Sequence, residues 1–387
     1  MLVNYCSFIE RWPSLKVLEP CYSVVLSRFY KQIKPNSGVE TLRVKAFIQA
    51  VVAILLLNTV AFSSLRADVL PSFYDISVPV ESTDPEELKE AAQLAMQNML
   101  IRASGTEGVL QNRRLQQAFA DANNYISQYG YQRADSGEFF VAFNFSADVV
   151  EKLLSQAGAP VWTPDRPSTL VWLAVEEAGE QRVAVAGDEV FDALVSAAAD
   201  RGLVLKSPLY DLQDRFTLSG QQLWLQDREA VNTASERYSA NVIMMARAWQ
   251  DSRKAWHINW DMLNTRGLNA GSESCLRLTD CFNVPVAELA EKWAAQYGVV
   301  TKFSETQALA IEVGGLDFDA YSQLIAYLKD LPATQKVVLT GIVKGRYHFD
   351  LEWQAEQTTL RDLLALNQSL QALGSTQVGL LKYHWVN

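Results

Sequence analysis

The chain is poor in the residues that most enzymes use to move protons or hold metals. It carries three histidines and four cysteines in 387 residues. No His pair has the HExxH spacing of a zinc site, and no G-x-S-x-G elbow presents a serine nucleophile. Ser104–Gly105–Thr106–Glu107–Gly108 lacks the Lys-Ser/Thr of a phosphate loop and follows a helical pattern, so it reads as a helix stop. Basic residues are also scarce. From residue 68 onward 26 Lys and Arg face 41 Asp and Glu, a net charge of −15. That balance argues against nucleic acid, whose phosphates would be repelled, and disfavours an anionic membrane surface. No acidic run is long enough to form a tail. The chain is not short of apolar residues, at 49%, which is the composition of a folded protein.

One long apolar run is present. Ala46–Phe62 holds no formal charge over 17 residues, follows Arg43 and Lys45, and is succeeded by Ser63, Ser64 and Ala67. Basic flank, apolar core and small-residue end are the order of a secretory signal, so 44–67 is expected to be a signal peptide cleaved after Ala67 or Ser63. The run also reaches the lower edge of length for a membrane span. The alternative is therefore an uncleaved anchor with the bulk of the chain outside; the inner membrane enters only on that reading. Residues 1–43 are a long leader for such a signal, and Val44 is a candidate start.

Export changes the meaning of the cysteines. Only Cys275 and Cys281 lie beyond the apolar run. Cys-x5-Cys is wrong for paired zinc knuckles and has no nearby His, so in an oxidising compartment it is expected to close as a disulfide. No metal or cofactor is expected.

Periodicity then predicts an α/β (α+β) chain of three small mixed domains in series. In 68–158, a strand at Phe73–Val80 precedes a helix that starts at Ser82–Glu86 and ends before Gly105. Leu115, Phe119, Ala122, Ile126 and Tyr129, spaced 4, 3, 4, 3, predict a second helix. A strand at Glu138–Phe145 and a helix at Ala147–Gln156 follow. Val161–Ser168, with two prolines, reads as a linker. In 169–300, strands at Thr169–Glu176, Gln181–Ala186 and Leu203–Leu205 flank a helix opened by Asp188. Helical segments at Ser219–Tyr238, a hairpin of Ala240–Trp249 with Lys254–Asn264, and a helix near 284–297 complete an α/β sandwich. In 306–387, a strand at Ala308–Val313, a helix at Phe318–Leu328 and a hairpin about Gly345 come first. A helix at Thr359–Leu373 and a strand at Gly379–Trp385 then give the βαββαβ order of a ferredoxin-like fold.

Within that frame the chemistry is thin. His257, His348 and His384 fall in predicted strands and read as surface or packing residues. Asp317 and Asp319 stand where a helix begins and read as a cap and a first-turn carboxylate. Glu176–Glu177 and Asp188–Glu189 sit at a strand end and a helix start. Arg102 closes the otherwise apolar MLIRASG and is a structural or anion-binding candidate. Trp224, Trp249, Trp256 and Trp260 cluster in sequence and are candidates for a contact surface wherever they are exposed. No catalytic residue is assigned.

Several segments resemble one family: Tyr74–Val80, Leu100–Gly105 (LIRASG), Tyr125–Tyr131 (YISQYGY), Pro160–Trp162 running into Arg166–Val175 (RPSTLVWLAV), Leu209–Asp214 (LYDLQD) and Ala234–Met244 (ASERYSANVIM). In this order the chain resembles the proteobacterial domain-of-unknown-function family 2066. The resemblance implies a Gram-negative source and agrees with export, and it carries no activity or functional residues to transfer. At the level of fold, the order strand, helix, Glu236–Trp249 (ERYSANVIMMARAW), hairpin and late helix looks like the domain shared by flagellar, curli-secretion and Tol-type periplasmic accessory proteins. The expectation is an exported, non-catalytic binding or assembly-accessory protein whose partners are envelope proteins. The alternatives are an exported hydrolase acting on peptidoglycan or peptides and a small-ligand carrier.

Overall fold

The computed structural model describes residues 73–134, 137–177, 179–263, 270–374 and 379–386. The apolar run Ala46–Phe62 and the leader 1–43 lie outside the described residues. Among the described residues no helix is long and apolar enough to cross a membrane. The architecture is α+β, with three sheets in succession along the chain.

The first sheet is antiparallel in the order β1-β3-β2, from Asp75–Pro79 (β1), Ile126–Arg133 (β2) and Phe139–Phe145 (β3). Alternation aims Ile76, Val78, Val141, Phe143 and Phe145 at one face. Helices Pro85–Ser104 (α1), Arg113–Ala120 (α2) and Ala147–Ala157 (α3) supply the other side of that core. Pro85 sits in the first turn of α1, and Ala91, Ala92 and Ala95 keep its buried side slim. The helix ends where Gly105 turns left-handed at φ 74°, its N–H closing on the carbonyl of Ile101. A Cβ there would lie 2.4 Å from that of Ala294 and 2.5 Å from the Trp162 ring, so only glycine lets the helix end meet the next layer.

One expectation fails here. The apolar spacing from Leu115 to Tyr129 does not mark one helix. The helix stops at Ala120, a 3-10 turn covers Ala122–Asn124, and Ile126 to Arg133 pairs with β3. Gly130 disfavours helix, the two flanking tyrosines favour extended backbone, and pairing with β3 outweighs the period-3.6 pattern.

The segment between the first two sheets is equally firm. Val161 and Val299 exchange hydrogen bonds of 2.9 and 2.8 Å, and the Trp162 N–H donates to the Ala103 carbonyl at 2.7 Å. Val161, Trp162 and Arg166 are buried, so this stretch is a seam and not a loose linker.

The second sheet is mixed, running β5-β4-β7-β8-β9 with β6 beside the start of β4. Its strands are Ser168–Glu177 (β4), Glu180–Ala184 (β5), Val204–Lys206 (β6), Val242–Gln250 (β7), Trp256–Leu263 (β8) and Ala270–Cys275 (β9). Residues 168 to 175 of β4 are buried on both faces, as in a central strand with helices on each side. Glu189–Asp200 (α4) and Leu278–Tyr297 (α8) cover one face. The short helices Leu212–Thr217 (α5), Gly220–Trp224 (α6) and Arg228–Ser235 (α7) cover part of the other. Strand β9 is an element the sequence did not announce, and α8 begins before the expected position, with Pro285 inside it.

The third sheet runs β11-β12-β10-β14-β13. Gln307–Gly314 (β10), Phe318–Asp330 (α9), Thr334–Val343 (β11), Arg346–Trp353 (β12) and Gln357–Leu366 (α10) reproduce the ferredoxin-like order. The expected last helix ends early, and Leu370–Leu373 forms an added strand, β13. This hairpins onto Leu380–Trp385 (β14), which therefore runs parallel to β10. Leu309, Ile311, Phe349, Leu351, Trp353, Leu381 and Trp385 pack under the two helices.

Candidate functional site

The face of the second sheet under α5–α7 is only half covered, and the sequence of β7 records it. From Val242 to Ala246 every residue is buried; then Arg247 and Trp249 are partly exposed while Ala248 between them is not. Registration places Trp249 opposite His257 and Arg247 opposite Asn259. On β9, Ser274 lies opposite His257 and Ser272 opposite Asn259. Two cross-strand rows, Trp249–His257–Ser274 and Arg247–Asn259–Ser272, thus share the open end of this face.

Aromatic and cationic groups dominate it. Trp249 stacks on the His257 ring with centroids 5.3 Å apart, and Trp224, at the end of α6, meets Trp249 edge-on at 5.8 Å. The Arg247 guanidinium lies 5.4 Å from the Trp224 ring centre and 5.8 Å from that of Trp249, and its Nη1 donates to the Trp224 carbonyl at 3.0 Å. Nε of Arg247 and Oδ1 of Asn259 are buried without a hydrogen-bond partner, as is Oδ1 of Asp261, whose Oδ2 pairs with Arg228. Three orphaned polar atoms on adjacent strands are unusual in a finished core.

The four tryptophans named from sequence divide between the two faces of the sheet. Trp224 and Trp249 join this face. Trp256 and Trp260 point the opposite way, where Trp260 is 2% exposed among α4 and α8.

A row of catalytic residue types also crosses the face. Ser274 Oγ lies 2.7 Å from His257 Nδ1, and His257 Nε2 lies 3.3 Å from Asp251 Oδ2. Asp251 accepts the backbone N–H groups of Ala255 and Arg253. Those bonds, with His257 beside it, hold its carboxyl below the usual range. Ser, His and Asp are therefore in line, while the Ser274 N–H, one donor that could serve an oxyanion, donates to Glu273 Oε1 at 3.0 Å. Sequence inspection missed this row because its members come from a turn and two strands.

Arg102 stands at the seam between the first and second sheets. It donates to the carbonyls of Phe73 (3.1 Å), Asp75 (2.7 Å) and Asp200 (3.3 Å). Beside it Arg166, unflagged by sequence, donates to the carbonyls of Thr163, Arg201, Trp162 and Arg102. Burial, and then repulsion from Arg102, push the Arg166 guanidinium down to about 9. These arginines satisfy backbone acceptors where chain segments converge.

Two segments noted in sequence, LYDLQD and ASERYSANVIM, meet in space. Asp214, 1% exposed, accepts the Tyr210 N–H at 2.8 Å, Arg237 Nη1 at 3.2 Å and the Tyr238 hydroxyl. Hydrogen bonds from Arg237 hold Asp211 at about 2. This network fixes α5 against the turn after α7.

Cys275, the last residue of β9, is bonded to Cys281 in the first turns of α8, with Cα atoms 5.5 Å apart. His348 faces Glu312 across β12 and β10, and Glu312 pairs with Arg346 and with Lys382 at 3.6 Å. Asp317 caps α9, its Oδ1 accepting the Ala320 N–H at 2.8 Å. Among the described residues no group of three or more His, Cys, Asp or Glu is placed to hold a metal ion.

In a comparison with known families, residues 67–163, which include the first sheet and the start of the seam, match a family described as a domain of unknown function (DUF8605). No curated protein matches the chain.

Proposed function

We propose that the chain is an exported, non-catalytic binding or assembly-accessory protein of the cell envelope, which holds a partner protein on the open end of its second sheet. The observation that carries this reading is the half-buried Trp224–Trp249–His257 assembly with Arg247 between its rings. Indoles and a guanidinium around orphaned polar atoms are the groups enriched where proteins bind each other. The Cys275–Cys281 disulfide supports an oxidising compartment. Ala46–Phe62 is read as the export signal, and the resemblance to family 2066 supports a Gram-negative source. We take the three sheets as three domains, 68–158, 169–300 and 306–387.

Site-specific photo-crosslinking from position 249 in intact cells tests the reading. The expected result is a discrete adduct with an envelope protein that disappears on Arg247→Ala. A chain found in the cytoplasm with reduced thiols, or one crosslinking nowhere from this face, overturns it.

The Ser274–His257–Asp251 row favours a second reading, an exported serine hydrolase. A fluorophosphonate probe decides between them: labelling of Ser274 that is lost in His257→Ala supports hydrolysis, and an unlabelled Ser274 leaves the binding reading.

A further inference from the structure

We infer that the chain pairs with a second copy of itself through β2, edge to edge and antiparallel, about a twofold axis beside Gly130.

A free strand edge is a row of unpaired N–H and C=O groups, and proteins guard such edges with charge, proline, bulges or brevity. The other sheet edges described here are guarded. β1 begins with Asp75 and ends with Pro79; β5 carries Glu180 and Arg182; β6 and β13 are three and four residues long. β9 carries Glu273 and is tied to α8 by the disulfide. β11 is broken by two register shifts and carries Lys336. β2 differs. Its register shift lies at its start, between Ile126 and Gln128, and its charge, Arg133, lies at its end. Ser127–Gln132 between them has neither charge nor proline, and every residue from Ser127 to Arg133 is exposed.

The sequence of this edge suits itself. Gln128–Tyr129–Gly130–Tyr131–Gln132 reads the same in both directions. Antiparallel pairing with Gly130 opposite Gly130 sets Tyr129 against the second copy's Tyr131, Gln128 against Gln132, and Ser127 against Arg133. Aromatic meets aromatic, amide meets amide, and the lone cation meets a hydroxyl, with no like charges opposed. Tyr129 and Tyr131 are 55% and 37% exposed and already rest on Phe143 and Phe139. A second copy extends that aromatic row across the junction. Gly130 leaves the axis free of side chains.

The twofold makes the contact isologous, so pairing consumes both β2 edges. The outer edges of the resulting six-stranded sheet are two copies of β1, each ending in Pro79, which closes the assembly at a dimer. One strand and two tyrosines per copy make a small interface, so a dissociation constant on the order of micromolar is expected.

Sedimentation equilibrium of the full 387-residue chain tests this. The wild type is expected to be dimeric at about 100 µM, well above that constant. Gln128→Lys with Gln132→Lys sets like charges opposite each other on exposed positions and is expected to be monomeric with an unchanged circular dichroism spectrum. Gln128→Glu with Gln132→Glu is expected to behave likewise, and an equimolar mixture of the two variants to regain the dimer. A monomeric wild type overturns the proposal. So does a lysine variant that dimerises like the wild type, or a mixture that stays monomeric.

Discussion

The Arg166 guanidinium lies 3.7 Å from the centre of the Trp162 ring and 4.6 Å from that of Phe73, sandwiched where the first and second sheets meet. Its bonds go to four backbone carbonyls, which the planar fork serves together. Removing it takes the donor from all four; the bond to the Trp162 carbonyl is buried and the others are partly so. Arg166→Met is expected to lower unfolding free energy by about 3 kcal/mol, and Arg166→Lys by about 2 kcal/mol, because an ammonium cannot reach all four or stack. Arg102→Ala, at a less buried position, is expected to lose about 1–2 kcal/mol. Urea titration of each variant measures these losses. Full stability of Arg102→Ala together with loss of a bound partner would return that residue to the ligand-binding role considered from sequence.

The same region makes a pH prediction. The Tyr74 hydroxyl donates to Glu151 Oε1 at 2.7 Å. Burial raises the Glu151 pKa above its ordinary value, the Tyr74 bond opposes the rise, and Asp148 adds to it. A carboxyl with a raised folded pKa makes the native state hold its proton more tightly than the unfolded chain. Its contribution to stability is therefore favourable at low pH and is lost as pH climbs from the unfolded pKa through the folded one. Glu151→Gln keeps an acceptor for Tyr74 and removes the charge. The variant should be more stable than wild type at neutral pH, with the difference vanishing near pH 4, as urea midpoints at the two pH values would show.

Gly271 and Trp260 form a third testable pair. They face each other across β9 and β8, and a Cβ on residue 271 would sit 2.3 Å from Cζ2 of Trp260. The indole covers the glycine and is itself locked in the core beneath α4 and α8. Gly271→Ala must push that ring and is expected to cost about 1–3 kcal/mol; Trp260→Ala is expected to cost about 3–5 kcal/mol. Because the two touch, combining Gly271→Ala with Trp260→Phe should cost less than the sum of the two single changes, and a double-mutant cycle in urea reads that coupling.

These positions show what was legible in the sequence. His257 lies in a strand and Gly105 ends a helix, as their sequence contexts predict, since both follow local rules of backbone geometry. Three elements were lost to competition between local pattern and tertiary pairing. Tyr129 lies on a strand because β3 pairs with it, although its spacing from Leu115 is helical. Leu370–Leu373 continues an apolar helical pattern but is drawn into the hairpin with β14. Ala270–Cys275 has little apolar character and becomes a strand only through β8. The Arg166 seam and the Ser274–His257–Asp251 row depend on residues 35 or fewer apart in some contacts and 64 apart in another, brought together by the folded backbone. Spacing along a single chain could not show them.

The disulfide offers the last prediction, and it bears on the open sheet face. Cys275 follows Ser274 directly, and Cys281 is fully buried with its Sγ 3.7 Å from the Trp256 carbonyl. The bond therefore ties the outermost strand of the second sheet to the helix packed behind it. Chain-entropy arithmetic for so short a loop gives about 2 kcal/mol, and Cys275→Ser with Cys281→Ser is expected to lose about that much. The loss should be local. Among the described residues β9 pairs only with β8, whereas β7 is held between β4 and β8. Hydrogen exchange of the double variant should thus speed up in Ala270–Cys275 and at the start of α8 before it changes in Val242–Gln250. Loosening β9 also frees Ser274 from His257. Uniform acceleration across all three strands would mean that the bond stabilises the whole sheet and not its edge.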